Sequence, residues 1–178
     1  MDAASLFSQL EKDNIVKENI LQISTEIIKS LKSGNKVLFF GNGGSAADSQ
    51  HMAGEFISKF KLNRKSMPAI ALTTDSSIIT SISNDFGYQE IFSKQIEGLG
   101  NKRDIAFAFS TSGNSENVLE GLKKAKEQGL KTIGLTGLSG GLMINFCDHL
   151  IRIPSNNVPR IQEGHLLVGH IICEIVKK

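Results

Sequence analysis

The sequence predicts an α/β protein: a three-layer αβα domain with a five-stranded parallel sheet, preceded by a helical N-terminal region. Two observations carry this prediction. Short apolar runs typical of strands buried on both faces recur along the chain, and segments with helical periodicity lie between them. Strands that alternate with helices pair in parallel through helical crossovers. The chain has 178 residues, 40% of them hydrophobic, so it can bury one core, and we expect a single domain over residues 1–178.

The helical N-terminal region is expected to cover residues 1–33. Between Leu6 and Leu31, apolar residues recur mostly at intervals of three and four, which indicates one or two amphipathic helices. Gly34 is expected to end this region, because glycine is favoured just after a helix. We expect the region to pack on the rest of the domain or on a neighbouring subunit.

The remaining elements follow in alternating order. The predicted strands are short and apolar, and they cover residues 36–40, 68–72, 104–109, 131–135 and 149–153. The predicted helices cover residues 45 to about 60, 76–83, 89–99, 116–128 and 160–177. Residues 137–141 are glycine-rich and are expected to form a turn.

Two turns rich in glycine and serine are the main functional signal. Residues 41–45 (GNGGS) and residues 110–115 (STSGNS) each follow a predicted strand and each open a predicted helix. Unpaired N–H groups and the helix dipole favour an anion at a helix N-terminus, hydroxyls add donors, and glycine lets the backbone approach a ligand closely. The two turns together predict one site for an anionic ligand, and a phosphorylated small molecule is the first expectation.

Charge and residue usage argue against several other classes of partner. Lys and Arg total 20 against 18 Asp and Glu, so a net charge of +2 gives no general attraction to nucleic acid or to an anionic membrane. One tyrosine and no tryptophan argue against a platform for stacking single-stranded nucleic acid. The N-terminal segment is amphipathic and lacks a basic leader, so we expect a cytoplasmic protein. Cys147 and Cys173 lie in no paired ligand motif and are expected to be core thiols.

His51 and Glu55 are four residues apart in the helix that follows the first turn. Side chains at this spacing project from the same helix face, so the two could share a metal ion or a proton-transfer site. An imidazole with a carboxylate suits zinc. Two residues alone are a weak signal, and a hydrogen-bonded pair on the surface is the alternative interpretation.

The last predicted helix carries Gln162, Glu163, His165 and His170 among apolar residues. A buried polar group needs a partner. Gln162 and His170 are separated by two turns and about 80° of rotation, so they would converge only on a ligand between them or at a subunit boundary. The alternative is a set of satisfied polar residues in a packed helix.

Together these motifs resemble the phosphoheptose isomerase family of the sugar isomerase (SIS) domain group, whose fold is flavodoxin-like. The resemblance covers nearly the whole chain and rests on residues 41–45, 51–55 (HMAGE), 84–87 (NDFG), 110–115 and 160–163 (RIQE). The serine-rich turn alone indicates only a SIS-like sugar-phosphate fold. The combination of His51 with Glu55, and of Gln162 with His170, is more specific.

The resemblance implies a metal site and a reaction. It implies one zinc ion per subunit, held by His51, Glu55, Gln162 and His170. It implies conversion of sedoheptulose 7-phosphate into D-glycero-D-manno-heptose 7-phosphate, the first step of nucleotide-activated heptose synthesis for lipopolysaccharide or capsule. Glu55 and His170 would be catalytic, with Glu55 acting as the base at carbon and His170 as the acid or base near oxygen.

The resemblance also implies substrate contacts and an assembly. Phosphate would be held by Ser110, Thr111, Ser112 and Ser115. The other substrate-binding positions would be Asn42, Gly43, Gly44, Glu55, Asn84, Asp85 and Gln162. Family members are homotetramers with active sites between subunits, which would let side chains on helices of different monomers meet. Neither nucleic acid nor a membrane is an expected partner.

Alternatives from other classes stay open. A non-catalytic SIS sugar-phosphate sensor, or a protein that binds a replication initiator, would keep the serine-rich turn and lose the acid/base residues. An isomerase for a pentose or hexose phosphate would have a similar fold and a similar phosphate turn. Gly54 and Pro159 stand where some relatives carry acidic residues, so no auxiliary carboxylate is expected at either position.

Three other polar features receive simple interpretations. The basic stretch Lys59, Lys61, Arg64 and Lys65 is expected to be solvated surface, with steering of the substrate or contact with an acidic partner as alternatives. His165 is expected to be structural or to lie just behind the site. His149 begins a predicted strand and is expected to be structural.

Overall fold

The computed structural model describes residues 2–176 and contains the predicted five-stranded sheet. Its strands are β1 (Val37–Gly41), β2 (Ala69–Ala71), β3 (Ile105–Ser110), β4 (Lys131–Thr136) and β5 (His149–Arg152). Their order across the sheet is β2-β1-β3-β4-β5, and every neighbouring pair is parallel. The predicted α/β fold is confirmed, and the strand order is that of a flavodoxin-like sheet.

Helices cover both faces of the sheet. They are α1 (Ala3–Lys12), α2 (Asn14–Lys32), α3 (Gly44–Ile57), α4 (Ser76–Phe86), α5 (Ser93–Leu99), α6 (Glu116–Glu127) and α7 (Val158–Val176). Alternate side chains of each strand point to opposite faces. Phe39 and Phe107 therefore lie in the core under α1, α2, α3 and α7, while Leu38 and Phe40 lie in the core under α5 and α6.

The N-terminal region consists of two helices that pack on the domain. The Asp13 carboxylate accepts a hydrogen bond of 3.1 Å from the Val16 N–H, so Asp13 separates α1 from α2 and caps the second helix. Ile20, Ile23 and Ile27 of α2 are buried in the same core as the apolar face of α7. Helix α2 ends at Lys32, and a glycine at φ 82° follows at the predicted position 34.

The prediction of one continuous helix over residues 89–99 is wrong. A 3₁₀ turn at Tyr88–Glu90 precedes the separate helix α5. The Ser93 hydroxyl donates to the Glu90 carbonyl, and the Gln95 amide donates to the carbonyls of Ile91 and Leu72. The Glu90 and Ile91 carbonyls lie where a continuous helix would form backbone hydrogen bonds, and here they accept from side chains.

Two other helices differ from their predicted bounds. Helix α4 continues to Phe86 and ends at Gly87, whose φ is 97°, although asparagine and aspartate before it favour an earlier end. Helix α7 begins at Val158, because Pro159 lies in the first turn, where its missing N–H costs no hydrogen bond. The predicted last residue of this helix, Lys177, lies outside the described residues.

Two further expectations concern membrane spans and cysteines. Within residues 2–176, no helix is long and apolar enough to cross a membrane. Cys173 is buried and Cys147 is half-buried, and burial raises the pKa of each thiol to about 12. Both cysteines are free, and both thiols are protonated core side chains at neutral pH.

Candidate functional site

The two glycine- and serine-rich turns lie side by side at the carboxyl edge of the sheet. The first follows β1 and the second follows β3, and these strands are neighbours, with Gly41 paired to Phe109. The strand order runs in opposite directions from this pair, and helices α3 and α6 pack on opposite faces. Open α/β sheets bind their ligands at such a switch point. The structure therefore brings the two turns together, as the sequence predicts.

The first turn requires glycine at two positions. A Cβ added at Gly41 would lie 2.7 Å from the Phe109 carbonyl oxygen, so the two turns approach this closely only without a side chain there. Gly43 has a φ of 56°, in the left-handed region that favours glycine, and it begins α3 without a side-chain cap. The N–H groups of Ser45 and Ala46 donate to the carbonyls of Asn42 and Gly43, over 2.9 and 3.0 Å, so this helix start would attract an anion mainly through the dipole of α3.

The second turn is rich in hydroxyl groups. The Oγ atoms of Ser110 and Ser115 are 3.1 Å apart, and a backbone N–H of the turn donates to each of Ser110 Oγ and Ser112 Oγ. A cavity of about 300 Å³ opens beside this turn, with Thr111 and Ser112 among its lining residues. These hydroxyls, together with the start of α6, suit a phosphate group.

A pair of amide side chains joins the two turns, and the sequence analysis missed one of its members. Asn42 donates to Asn117 Oδ1 over 2.7 Å, and Asn117 donates back to Asn42 Oδ1 over 2.9 Å. The Tyr88 hydroxyl donates to the same Asn42 oxygen over 3.1 Å. Asn117 is buried in the first turn of α6, two residues after the serine-rich turn, and this proximity was its only sequence signal.

Three side chains with metal-binding atoms meet between α3 and α7. His51 Nε2 lies 2.8 Å from His170 Nε2 and 3.6 Å from Glu55 Oε1. One ligand atom from each residue lies within 4.8 Å of the other two. The alternative of a simple surface pair at His51 and Glu55 is therefore incomplete, because His170 joins them. All three belong to one chain, so no second monomer is needed to bring them together.

The geometry of this three-residue group fits a zinc ion. Zinc–ligand distances near 2.1 Å place two ligand atoms of a tetrahedral site about 3.4 Å apart. The separation of His51 from Glu55 already matches this value, and the two histidine nitrogens, now 2.8 Å apart, would need to separate by about 0.6 Å. Two imidazoles and a carboxylate are also a donor set that zinc prefers.

Comparison with known proteins identifies the family. Residues 2–137 match the family model of the SIS domain. A phosphoheptose isomerase of Clostridium acetobutylicum is 52% identical over 167 residues, which cover 94% of this chain and 85% of the relative. Phosphoheptose isomerase 2 of Campylobacter jejuni is 51% identical over 176 residues, which cover 96% and 88%. The chain belongs to the phosphoheptose isomerase family.

A solved structure agrees with this assignment. The phosphoheptose isomerase from Neisseria gonorrhoeae superposes with a TM-score of 0.92 at 38% identity, over 98% of this chain and 92% of that one. As a member of this family, the chain is an isomerase of sugar phosphates. The SIS model ends at residue 137, so α7 and His170 lie beyond it.

Gln162, the fourth ligand that the family resemblance implies, lies apart from the other three. It is eight residues before His170 on α7, which corresponds to about 12 Å along the helix axis. Its side-chain amide faces Gly44, where an added Cβ would collide with it. In this position Gln162 borders the first turn and the start of α3. Its role as a zinc ligand stays a prediction.

Asn84 and Asp85 are two of the predicted substrate-binding residues, and neither is held by buried packing within this chain. Both are exposed near the end of α4, and Asn84 donates to the Asp85 carboxylate over 2.8 Å. No residue of α4 is buried within the described chain. Their predicted contact with the sugar stays a prediction.

In the basic stretch after α3, Lys59, Lys61 and Lys65 are exposed, as predicted, whereas Arg64 is half-buried and bonds to the end of α3. The Arg64 guanidinium donates to the carbonyls of Glu55 and Phe56, over 2.7 and 3.0 Å, at the end of α3. It therefore stabilises the helix terminus next to a predicted catalytic residue. Phe60, four residues before this arginine, stacks on the His170 ring with centroids 5.8 Å apart.

Proposed function

We propose that the chain converts sedoheptulose 7-phosphate into D-glycero-D-manno-heptose 7-phosphate, in the cytoplasm, as the first step of nucleotide-activated heptose synthesis for lipopolysaccharide or capsule. The observation that carries the proposal is the meeting of His51 and Glu55 on α3 with His170 on α7, because α3 starts at the first of the predicted sugar-phosphate turns. The relatives are named for a phosphoheptose, which supports a seven-carbon substrate.

The chemistry requires two proton transfers and a site for negative charge. Moving a carbonyl between C2 and C1 removes a proton from one carbon, returns a proton to the other, and passes through an enediolate. We assign proton transfer at carbon to Glu55 and proton transfer near oxygen to His170. The serine-rich turn would hold the terminal phosphate, so that the reacting carbons reach the carboxylate and the imidazole.

The residues that would hold zinc are His51, Glu55 and His170, with Gln162 as the proposed fourth ligand. When bound, zinc supplies a Lewis acid that polarises the carbonyl and stabilises the developing oxyanion. Ligation and proton transfer compete at Glu55 and at His170, because a lone pair bound to a metal is a poorer base. Gly43, Gly44, Asn42, Asn84 and Asp85 would contact the sugar.

We also propose a homotetramer, because apolar surfaces of this chain are left uncovered. A groove of about 660 Å³ lies between α1, α2 and α7, and apolar side chains such as Phe7, Leu21 and Ile171 line it. Helix α4 exposes Ile78 and Phe86 and buries none of its residues within this chain. Exposed apolar area of this extent is typical of protein interfaces. A second copy over α4 would place Asn84 and Asp85 near a site between subunits.

Turnover of a substrate panel tests the function. Purified protein is incubated with sedoheptulose 7-phosphate, a pentose phosphate or a hexose phosphate, and the products are separated by anion exchange. We expect an aldose heptose phosphate from the first substrate and at least about 100-fold lower kcat/KM with the shorter ones, since the phosphate sets the reach to the reacting carbons. Binding of sugar phosphate without turnover would favour the sensor alternative, and preference for a shorter sugar would refute the heptose assignment.

Substitution of Glu55 tests its assigned role. The variant Glu55→Gln keeps the shape of the side chain and removes the base, so we expect kcat to fall by at least about 100-fold. Retention of most of the isomerisation would refute proton transfer by Glu55. The variant His170→Gln gives the parallel test for transfer near oxygen.

A further inference from the structure

A buried acid–base pair lies between α3 and α7, behind the three-residue group. Asp48 is on α3, three residues before His51, and His165 is on α7, five residues before His170. The His165 side chain is 0% exposed and Asp48 is 5% exposed. The Asp48 Oδ2 atom is 4.0 Å from His165 Nδ1. The same two helices therefore carry both this pair and the three-residue group of His51, Glu55 and His170.

Both members of the pair carry polar atoms that the rest of the domain leaves poorly satisfied, although the Thr136 backbone lies near enough to His165 to raise its pKa slightly against the effect of burial. Asp48 Oδ2 and both ring nitrogens of His165 lack a hydrogen bond of normal geometry to any residue in the range 2–176. The imidazole packs against the Phe109 ring, with centroids 5.9 Å apart. Burying polar atoms without partners is costly, and a carboxylate beside an imidazole can recover part of that cost. The pair thus favours an arrangement in which α3 and α7 stay close to each other at Asp48 and His165.

The pair lies midway along the contact between the helices. At one end, Gln162 lies against Gly44. At the other end Gly169 lies against Met52, where an added Cβ would come within 2.6 Å of the sulfur atom. Such close contacts let a movement of one helix along the other pass directly to the side chains next to them. A displacement of less than about 1 Å is enough to change the separation of the two ligand histidines from its present 2.8 Å to the value that zinc requires.

We propose that Asp48 and His165 are positioning residues: together they hold α3 and α7 in the register that brings the His51 and His170 rings to one point. The consequence for metal binding rests on the proposed zinc site. Neither residue needs to touch the substrate or the metal to act in this way. Their loss would loosen the geometry of the group and leave its members in place.

Zinc affinity and histidine NMR test the pair in the full chain. The variants are Asp48→Ala, His165→Gln and the double variant, with Asp48→Asn as the conservative change. Ser49→Ala is the matched control, since Ser49 is also buried on α3 and its hydroxyl bonds only within that helix, to the Ser45 carbonyl over 2.8 Å. Zinc dissociation constants are measured by competition with a chromogenic chelator. Urea unfolding checks that each variant folds.

We expect coupled effects on zinc binding. Each single variant should weaken zinc binding about tenfold, in the range seen when groups that orient metal ligands are removed. The double variant should be no weaker than the weaker single one, because the two side chains act as a unit. Asp48→Asn and Ser49→Ala should stay within about threefold of the wild-type protein. Additive losses, or losses equal to that of the control, would overturn the inference.

Ring ¹⁵N spectra of the metal-free protein keep this test separate from the zinc proposal. The chain has four histidines, so each ring is assignable by single substitutions. We expect Asp48→Ala to shift the His51 and His170 signals, and Ser49→Ala to leave them unchanged. If the wild-type protein binds no zinc, the proposed metal site fails while shifted rings still support the pair. Unshifted rings overturn the pair. If His165→Gln does not fold, the comparison of Asp48→Ala with Asp48→Asn decides.

Discussion

Removing the buried carboxyl of Asp48 should change how stability depends on pH. Burial raises the pKa of Asp48 from 3.8 to about 6, so the folded protein keeps a proton that the unfolded chain releases between these values. The contribution of Asp48 to stability is therefore present below pH 3.8 and is lost as the pH rises through about 6. The full difference corresponds to about 3 kcal/mol, of which about 2 kcal/mol falls between pH 4.5 and 7.

His165 has the opposite dependence. Burial lowers its pKa from 6.5 to about 4, although the Thr136 backbone acts in the other direction, so the unfolded chain binds the extra proton. Its contribution is present above pH 6.5 and is lost as the pH falls through about 4. The two contributions nearly cancel in the wild-type protein. In each single variant, the pH dependence of stability should therefore be that of the residue that remains.

Urea unfolding followed by circular dichroism, at several pH values from 4.5 to 7, measures both effects. As the pH rises from 4.5 to 7, the unfolding free energy of Asp48→Asn should increase by about 2 kcal/mol relative to that of the wild-type protein. The unfolding free energy of His165→Gln should decrease by about as much over the same range. Glu18→Gln, at an exposed position of α2, is the control and should stay within about 0.5 kcal/mol throughout. A pH-independent difference between Asp48→Asn and the wild-type protein would refute the reasoning.

Other substitutions test the glycine contacts, the amide pair and the end of α3. Gly44→Ala should raise KM for the sugar phosphate at least about tenfold, because its Cβ displaces the Gln162 amide. Gly54→Ala has open space around its Cβ, so urea unfolding should show a gain of about 0.8 kcal/mol with KM unchanged. Asn117→Ala removes two hydrogen bonds to the first turn and should cost about 2 kcal/mol in urea unfolding, with a raised KM. Arg64→Ala removes hydrogen bonds to the Glu55 and Phe56 carbonyls, of which Phe56 keeps the Met67 N–H, and should cost about 1–2 kcal/mol in the same assay.

Each of these predictions has a contradicting outcome. An unchanged KM in Gly44→Ala would show that Gln162 can leave its position without loss to substrate binding. A loss of stability in Gly54→Ala would reveal a contact outside this chain, such as a subunit interface. If Asn117→Ala left both stability and KM unaltered, the amide pair would not organise the turns. If Arg64→Ala were as stable as the wild-type protein, Arg64 would not stabilise the end of α3.

The sequence predicts the sheet well because local patterns determine it. The inner strands β1, β3 and β4 are apolar runs buried on both faces, and each of the two functional turns carries glycine where the backbones approach. His51 and Glu55 were identifiable for the same reason, since helical spacing fixes their common face. These features depend on neighbours within a few residues.

Features that depend on long-range packing were harder to predict. His170 reaches His51 within one chain because α3 and α7 pack closely through glycine contacts, which no local pattern encodes. The Gln95 amide of α5 donates to the Leu72 carbonyl, 23 residues away, a contact that no local pattern encodes. Asn117 looked like an ordinary polar residue of α6, because its partner amide is 75 positions earlier.

The most direct test of the proposed function is turnover of sedoheptulose 7-phosphate by purified protein, before and after removal of metal with a chelator and then with added zinc. We predict formation of the aldose heptose phosphate, its loss on chelation by at least about 100-fold, and recovery with about one zinc ion per subunit. Turnover that chelation leaves unchanged would contradict the zinc-dependent mechanism. Absence of turnover in folded protein that binds the sugar phosphate would contradict the proposed reaction itself.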